Sequence, residues 1–249
     1  MSLEARNLNF SYGATPLIRD FSLSLERGEF VMLSGPNGSG KSTILKLLSA
    51  FYRSDNGEVL LDGENINKIP LAERAKKIAV VPQQNNVVLD FSVSELVMLG
   101  RSLYLSRFLP IDRESSEICR AVMDRLEISQ FADRVVNKLS VGEQARVFLA
   151  KALVQKSDFL LLDEPTAALD IENAKKIMEI LRKLSDKIGI LMICHDLNMA
   201  WKYADKLYLL KNGETIACGE PKNILNSEVI GQVYNSKAEI IADKGIIFN

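Results

Sequence analysis

The sequence is poor in the residues that build disulfide frameworks and metal centres, since its 249 residues include three cysteines and one histidine. Cys119, Cys194 and Cys218 are far apart, odd in number and without the spacing of metal ligands. We therefore expect all three to be reduced, small residues of the core, which excludes a disulfide framework or a metal cluster built on them.

The sequence also lacks an excess of charge and a long hydrophobic run. With 31 basic and 32 acidic residues, its net charge of -1 provides no general attraction to nucleic acid or to an anionic membrane surface, so no nucleic-acid partner is expected. No apolar run approaches the ~20 residues that span a bilayer. Residues 1–6 have no apolar region of the kind found in secretory signals, so we expect a soluble, cytoplasmic protein.

What the sequence does contain is a glycine-rich loop between a predicted strand and a predicted helix. The short apolar run at residues 30–33 favours a buried strand, and residues 44–48 have the composition of a helix. The segment between them carries the pattern G-x-x-x-x-G-K-S. Its residues are Gly35, Pro36, Asn37, Gly38, Ser39, Gly40, Lys41, Ser42 and Thr43.

This loop has the features that binding a triphosphate requires. Glycines leave the backbone N–H groups unobstructed and permit unusual backbone angles. The helix N-terminus adds its positive dipole end, Lys41 can reach the β- and γ-phosphates, and the Ser42 hydroxyl can ligate Mg2+. A glycine-rich loop alone could be an ordinary turn, but the full pattern between a strand and a helix predicts nucleotide binding.

A pair of carboxylates ends a second apolar strand. Residues 159–162 predict a buried strand, and Asp163 and Glu164 follow it. Asp163 is suited to hold Mg2+, directly or through water, while Glu164 can polarise a water molecule for attack on the γ-phosphate. The alternative is that the pair simply ends the strand and caps the next segment. Beside a complete phosphate loop, we favour the catalytic interpretation.

The order of predicted elements indicates an α/β fold. Short apolar runs alternate with helical stretches, which favours a parallel sheet covered on both faces. These runs lie at residues 30–33, 78–81, 159–162 and 190–193. Alternating apolar residues predict half-buried strands in residues 8–12 and 21–25, and hairpins are predicted at residues 207–218 and 240–248.

Residues 85–155 differ from the rest because their apolar residues have helical spacing, first in Leu96, Leu99 and Leu103. The length is compatible with one large domain or with a core that carries an inserted subdomain. We predict a single domain, residues 1–249, in which a helical insertion, 85–155, interrupts a nucleotide-binding core formed by residues 1–84 and 156–249.

With these elements in place, the chain resembles the ATPase subunit of ABC transporters over essentially its full length. Residues 139–143 resemble that family's signature sequence, Gln83 its glutamine loop and residues 168–170 its D-loop. His195 falls at the position of the switch histidine, and Tyr12 matches the aromatic residue that stacks on adenine. Together with the glycine-rich loop and the carboxylate pair, these motifs in the family's order are much more specific than any one of them.

The resemblance implies a P-loop NTPase core with a mainly parallel sheet, an N-terminal antiparallel β subdomain and an inserted α-helical subdomain. It implies that Gln83 binds Mg2+ or the attacking water, and that His195 donates to the γ-phosphate and holds Glu164 in place. Taken alone, Gln83 would be a polar loop residue and His195 a satisfied structural residue. Tyr12 could equally be an exposed strand aromatic.

The signature segment implies a second copy of the chain. Ser140 and Gly142 precede a helical stretch and so offer another helix N-terminus to a phosphate. In the family this segment faces the ATP held by the opposite subunit, and Asp170 of the D-loop is expected among the nucleotide-binding residues with it. Val141 stands where glycine is usual and Glu143 where glutamine is common. Because Val141 restricts the backbone and adds bulk, we expect at most slower hydrolysis, without loss of function.

Three stretches are similar to the importer branch that moves iron-siderophores, haem and cobalamin: residues 93–101, residues 195–205 and the ending from residue 219. This similarity implies a separate membrane permease, a periplasmic or surface substrate-binding protein that supplies the cargo, and a place on the inner face of the cell membrane. Part of the similarity is also explained by packing, because residues 197–204 have the apolar spacing of a core-facing helix.

Other functions are compatible with the motifs. An ATPase of this family can serve an exporter or act in iron-sulfur cluster assembly, although neither explains the importer-like stretches as well. A nucleotide-binding regulatory or scaffold module, in which Val141 has ended turnover, belongs to a different class. Hydrolysis of Mg-ATP that disappears on Glu164→Gln would exclude it.

Overall fold

The computed structural model of the protein describes residues 1–83, 90–104, 112–236, 238–241 and 245–248. Its strands are β1 (Ser2–Tyr12), β2 (Thr15–Glu26), β3 (Phe30–Ser34), β4 (Asn56–Leu61), β5 (Glu64–Asn65), β6 (Ile78–Val81), β7 (Phe159–Asp163), β8 (Gly189–Ile193), β9 (Lys206–Lys211), β10 (Glu214–Gly219), β11 (Ala238–Ile241) and β12 (Gly245–Phe248). Its α-helices are α1 (Lys41–Leu48), α2 (Leu71–Lys77), α3 (Val93–Leu99), α4 (Arg113–Arg125), α5 (Val141–Leu153), α6 (Ile171–Ser185), α7 (Leu197–Tyr203), α8 (Pro221–Ile224) and α9 (Ser227–Tyr234).

Two sheets form the framework of the molecule. The N-terminal sheet is antiparallel and has the strand order β2-β1-β4-β5. The central sheet has the order β10-β9-β3-β8-β7-β6, in which all neighbours are parallel except β9 and β10. The predicted mainly parallel sheet and the predicted N-terminal antiparallel sheet are both confirmed.

The central strands are apolar on both faces because both faces are covered. Every residue of β3, β7 and β8 is buried. Since successive side chains of a strand point to opposite faces, Val31 and Leu33 join the cluster that α1 and the antiparallel sheet cover. Phe30 and Met32 join the cluster that contains the buried faces of α3, α5 and α6. Continuous apolar runs in these strands therefore reflect burial on two sides.

Helices α3, α4 and α5 lie within the predicted insertion and pack on one another, and α5 also packs on β6. The division of the chain at residues 85 and 155 stays a prediction, since residues 84–89 and 105–111 lie outside the described ranges. Leu103, which we expected to continue the first of these helices, lies in a turn after α3 ends at Leu99. At Gly100 the chain runs so close to α5 that an added Cβ would lie 2.0 Å from the Lys151 carbonyl oxygen.

The C-terminal part follows the predicted pattern. β9 and β10 form a hairpin around Asn212 and Gly213, whose φ angles of 50° and 83° suit a tight two-residue turn. β11 and β12 form the predicted second hairpin. One expectation is wrong: Cys218 is exposed, whereas Cys119 and Cys194 are buried. Cys218 lies in β10, an edge strand whose residues are all either exposed or partly buried. None of the helices in the described ranges is both long and apolar enough to cross a bilayer.

Candidate functional site

The glycine-rich loop joins β3 to α1, and its conformation requires glycine at three positions. Gly38 and Gly40 have φ angles of 77° and 98°, which other residues adopt only with strain. A Cβ on Gly40 would lie 2.3 Å from Ile18 Cδ1, and a Cβ on Gly35 would lie 2.2 Å from the Leu210 carbonyl oxygen. The glycines thus allow the loop to lie against β2 and β9, which holds it at the carboxyl edge of the central sheet.

Lys41, the first residue of α1, lies under this loop. Its side chain is buried, and Nζ donates to the carbonyl oxygens of Gly35 and Pro36, each at 2.9 Å. Burial lowers the pKa of Lys41, while the nearby carboxylates of Glu164 and Asp163 oppose that shift. The Lys41 amino group is therefore held at the floor of the loop by two backbone carbonyl groups.

Asp163 and Ser42 bring two oxygen ligands together. Asp163 ends β7 in a buried position, and Ser42 Oγ donates to its Oδ1 at 3.1 Å. Burial raises the pKa of Asp163, and the Ser42 hydroxyl counteracts that effect. A hydroxyl and a carboxylate at this separation suit a hard cation such as Mg2+. The pair of carboxylates does not cap the next helix, because the N-cap of α6 is Asp170.

Glu164 connects the ends of three neighbouring strands. Gln83 Nε2, just after β6, donates to Glu164 Oε2 at 2.9 Å, and His195 Nε2, just after β8, lies 2.5 Å from Glu164 Oε1. Glu164 itself has a φ of 53°, a strained conformation that recurs at functional sites. The parallel arrangement explains the convergence, since the carboxyl ends of β6, β7 and β8 meet at one edge.

These residues surround a cavity of about 620 Å³. Its lining consists of Leu17, Asn37, Gly38, Gly40, Lys41, Ser42, Thr43, Gln83, Glu164 and His195. Ser39 Oγ is buried beside the loop and has no hydrogen-bond partner among the described residues, which fits a ligand that accepts hydrogen bonds. The cavity size and its polar groups are those of a small-molecule site.

Tyr12 lies at one side of the loop as part of an aromatic cluster. The residue is 47% exposed, and its hydroxyl lies 3.3 Å from Thr43 Oγ1. Ring contacts join it to Phe10 at 5.0 Å and to Tyr52 at 5.9 Å between centroids. Sequence reasoning missed Tyr52 and Leu17, which no motif marks. The exposed ring of Tyr12 leaves room for a planar ligand to stack.

Ser140, Gly142 and Asp170 do not line the 620 Å³ cavity. Ser140 caps α5 through reciprocal bonds with Glu143, in which Ser140 N donates to Glu143 Oε2 at 2.8 Å and Glu143 N donates to Ser140 Oγ at 3.3 Å. Asp170 Oδ1 caps α6 by accepting from Asn173 N at 2.8 Å. Tyr12, Gly35, Pro36 and Ser39 are not among the lining residues either, although they lie in or beside the loop. The starts of α5 and α6 therefore form a group apart from the loop.

A second cavity, of about 410 Å³, lies between the carboxylates and the start of α5. Its lining includes Asp163, Glu164, Val141 and Leu169. Val141 is 58% exposed, and an added Cβ on Gly142 would be 3.4 Å from Leu169 Cδ2. The Val141 side chain is therefore largely exposed where it lines this cavity. The start of α5 keeps its capping box between Ser140 and Glu143.

Comparisons with known proteins agree with this geometry. The family model described as ABC transporter matches residues 18–167. The chain is 36% identical over 244 residues to the iron(3+)-hydroxamate import ATP-binding protein FhuC of Bacillus subtilis, covering 97% of this chain and 91% of that protein. It is 35% identical over 247 residues to the hemin import ATP-binding protein HmuV of Shewanella denitrificans, covering 96% and 95%.

Solved structures show the same fold. The dimeric structure of the bacterial ABC transporter cassette MJ0796 superposes with a TM-score of 0.79 and 30% sequence identity, covering 88% of this chain and 98% of that one. The predicted core, with its mainly parallel sheet and its glycine-rich loop, is therefore the ATP-binding cassette fold.

Proposed function

Because the chain belongs to the ABC transporter family and is an ATP-binding ATPase, we propose that it powers an importer for an iron chelate, haem or cobalamin. The observation that carries the ATPase activity is the convergence of Lys41, Ser42 and Glu164 on one cavity with Gln83 and His195. Asp163 is joined to this group by the hydrogen bond from Ser42. The import function rests on relatives that are named for iron-hydroxamate and hemin import.

The residues of the site divide the chemistry among them. The glycine-rich loop and Lys41 bind the phosphates, and Lys41 stabilises the charge that develops on transfer. Ser42 and Asp163, with Gln83, would hold Mg2+, which supplies charge neutralisation at the phosphate oxygens. Glu164 accepts a proton from the attacking water, and His195 orients Glu164 and donates toward the γ-phosphate.

Both carboxylate oxygens of Glu164 are engaged by Gln83 and His195. Each oxygen keeps a further lone pair, so Glu164 can accept a proton from water while these two side chains hold it in place.

Two copies of the chain would complete two sites. The outward position of Ser140, Gly142 and Asp170 supports this arrangement, as does the dimeric form of a similar cassette. Each signature segment would contact the ATP of the other copy, with Tyr12 stacking on adenine. Closure and reopening of the dimer would act on separate permease subunits. A periplasmic or surface substrate-binding protein would supply their cargo, and the ATPase would be peripheral on the inner face of the membrane.

The test compares wild type with Glu164→Gln, with Glu117→Gln on the exposed surface of α4 as the matched control. We expect Mg-ATP hydrolysis by wild type and by the control, and a loss of about 10²–10⁴-fold in Glu164→Gln, the usual contribution of a general base. ATP-dependent dimerisation, measured by light scattering, should persist in Glu164→Gln. Equal hydrolysis by Glu164→Gln and wild type would exclude the assigned role.

A wild-type chain that binds ATP without hydrolysing it would require a second step. Adding the permease would then restore turnover if the permease assembles the site. Continued absence of turnover would favour the regulatory or scaffold module over the transport ATPase.

A further inference from the structure

The ring of Tyr12 is held by neighbours from two different parts of the chain. Tyr12 is the last residue of β1, and about half of its surface is exposed. A side chain in such a position can adopt several rotamers unless its neighbours restrict it. Here the rings of Phe10 and Tyr52 lie 5.0 and 5.9 Å from it between centroids, at interplanar angles of 89° and 88°. Thr43 Oγ1 lies 3.3 Å from its hydroxyl.

These contacts form a compact aromatic cluster. Nearly perpendicular rings at such distances attract one another. Phe10 and Tyr52 themselves lie almost parallel, with an interplanar angle of 14° and 5.4 Å between centroids. Phe10 is buried, and Tyr52 is partly buried against the core cluster that the antiparallel sheet covers. Tyr12 is therefore the most exposed ring of a cluster whose other two rings are anchored in the molecule.

Tyr52 is fixed to the helix that begins at the phosphate loop. Helix α1 ends at Leu48, and the backbone N–H groups of Phe51 and Tyr52 both donate to the Lys46 carbonyl oxygen, at 2.9 and 3.2 Å. Ala50 has a φ of 53° in this turn, a left-handed conformation that is common just after helices. Lys46 Nζ also lies 5.5 Å from the centre of the Tyr52 ring, a cation–π distance. The position of the Tyr52 ring therefore follows the last turn of α1.

Helix α1 thus restricts Tyr12 from both of its ends. In its first turn, Thr43 lies beside the Tyr12 hydroxyl and lines the 620 Å³ cavity. After its last turn, Tyr52 lies against the Tyr12 ring. Because one short helix carries the end of the phosphate loop and both of these contacts, it determines where the Tyr12 ring lies relative to the loop.

We propose that Tyr52 is a positioning residue for nucleotide binding, which holds the Tyr12 ring in the orientation on which the base stacks. Tyr52 does not line the cavity, so it acts through Tyr12. Without the Tyr52 ring, Tyr12 would be ordered only when ATP binds, and part of the binding free energy would be spent on that ordering. This inference rests on the proposed function, because it assumes that the phosphates of ATP occupy the loop.

The test measures the dissociation constants of Mg-ATP and of Mg-tripolyphosphate, which has the phosphates but neither base nor ribose. In the full chain with Tyr52→Leu, the constant for ATP should rise about three- to tenfold, the size of ordering one side chain. The constant for tripolyphosphate should not change. Tyr52→Phe, which keeps the ring, should bind ATP like wild type. Phe51→Leu is the matched control, since Phe51 is the adjacent aromatic residue and is 73% exposed, and it should leave both constants unchanged.

A double-mutant cycle with Tyr12→Leu separates an action through Tyr12 from a direct effect on the nucleotide. Once the Tyr12 ring is absent, adding Tyr52→Leu should weaken ATP binding no further, because no ring remains for Tyr52 to position. Additive losses in the double variant would show that Tyr52 acts by another route, and they would overturn the proposal.

Two further results would contradict the positioning role. An unchanged ATP dissociation constant in Tyr52→Leu would reduce Tyr52 to a packing residue, and equal losses for ATP and tripolyphosphate would show that it supports the phosphate loop instead. If Tyr52→Leu does not fold, Tyr52→Met, which also lacks the ring, replaces it with the same outcomes. A wild-type chain that binds neither ATP nor tripolyphosphate would refute the proposed function, whereas equal binding of the two by wild type would overturn only the role of the base.

Discussion

The phosphate-loop region and the signature region both place polar groups at the start of a helix, but the folded chain uses these groups differently. At the start of α1, the loop, Lys41 and Ser42 face a cavity that Glu164 and His195 also line. At the start of α5, the Ser140 and Glu143 side chains are engaged in capping their own helix. The polar groups of the first region surround a cavity, whereas those of the second cap the helix itself.

The two regions differ in how many site residues a single chain can bring together in each of them. Parallel strands end at the same edge, so β6, β7 and β8 bring their following residues together without a partner. The start of α5 follows no strand of the central sheet, and Val141 there is 58% accessible. Ile171, the first residue of α6, is 88% accessible. A second copy packed against these helix starts, as proposed above, would bury both side chains.

After Glu164→Gln, the largest effect on turnover is expected at Lys41, the basic side chain of the first region. Lys41→Met should lower kcat/KM for ATP by about 10²–10³-fold, because a positioned donor to the developing charge is lost. Its melting temperature should not fall, since an apolar side chain replaces a buried ammonium. Lys175→Met, on the exposed face of α6, is the control. Turnover within a factor of about three of wild type would show that the cavity does not depend on Lys41.

Asp163→Asn should separate stability from function. Turnover should fall about 10- to 100-fold, with a higher Mg2+ requirement. Burial raises the pKa of Asp163, so the ionised carboxylate opposes folding at neutral pH, and this opposition is lost as the pH falls through the raised value. Without nucleotide, Asp163→Asn should therefore unfold at a higher denaturant concentration than wild type at pH 7, and the difference should shrink in acid.

A reversed order of stability, with Asp163→Asn weaker than wild type at neutral pH, would contradict this account. It would mean that the hydrogen bond from Ser42 and the attraction of Lys41 outweigh the cost of burial. The Asn side chain can still accept from Ser42 Oγ, so the variant tests the charge more than the hydrogen bond.

Gly142→Ala should act on the second region alone. The new Cβ would be in ordinary contact with Leu169, 3.4 Å away, and alanine favours a helix over glycine by about 1 kcal/mol. The ATP dissociation constant and the melting temperature of the isolated chain should not worsen. If another copy packs here, the added methyl group should lower turnover about tenfold through crowding. Unchanged turnover would remove the reason to place a partner's ATP at this helix start.

Sequence patterns predicted the first region better than the second for a physical reason. The loop, the carboxylates and the strands that carry them are local patterns, and parallel pairing determines how they converge. The burial of Cys218 was predicted wrongly because an edge position depends on the whole sheet. Tyr52 joins the aromatic cluster around Tyr12 only through tertiary packing, so no local pattern could reveal it.

The smallest effect is expected at Glu143, where the chain departs from the commoner glutamine. Hydrogen bonds from the Ser140 backbone N–H and hydroxyl lower the pKa of Glu143, so its contribution to stability is present above its usual pKa and is lost as the pH falls through the lowered value. Glutamine accepts the same N–H, so Glu143→Gln should change the free energy of unfolding by less than about 0.5 kcal/mol at pH 7.

Urea unfolding at pH 7 and in acid distinguishes the two parts of this capping interaction. Ser140→Ala, which removes the cap, should cost about 1 kcal/mol at neutral pH. Glu143→Gln should lose less stability than wild type on acidification, because it has no carboxylate to protonate at this helix start. If Glu143→Gln were as destabilised at pH 7 as Ser140→Ala, the charge of Glu143 would matter more than the hydrogen bond. The second region would then be organised by electrostatics, as the first one is.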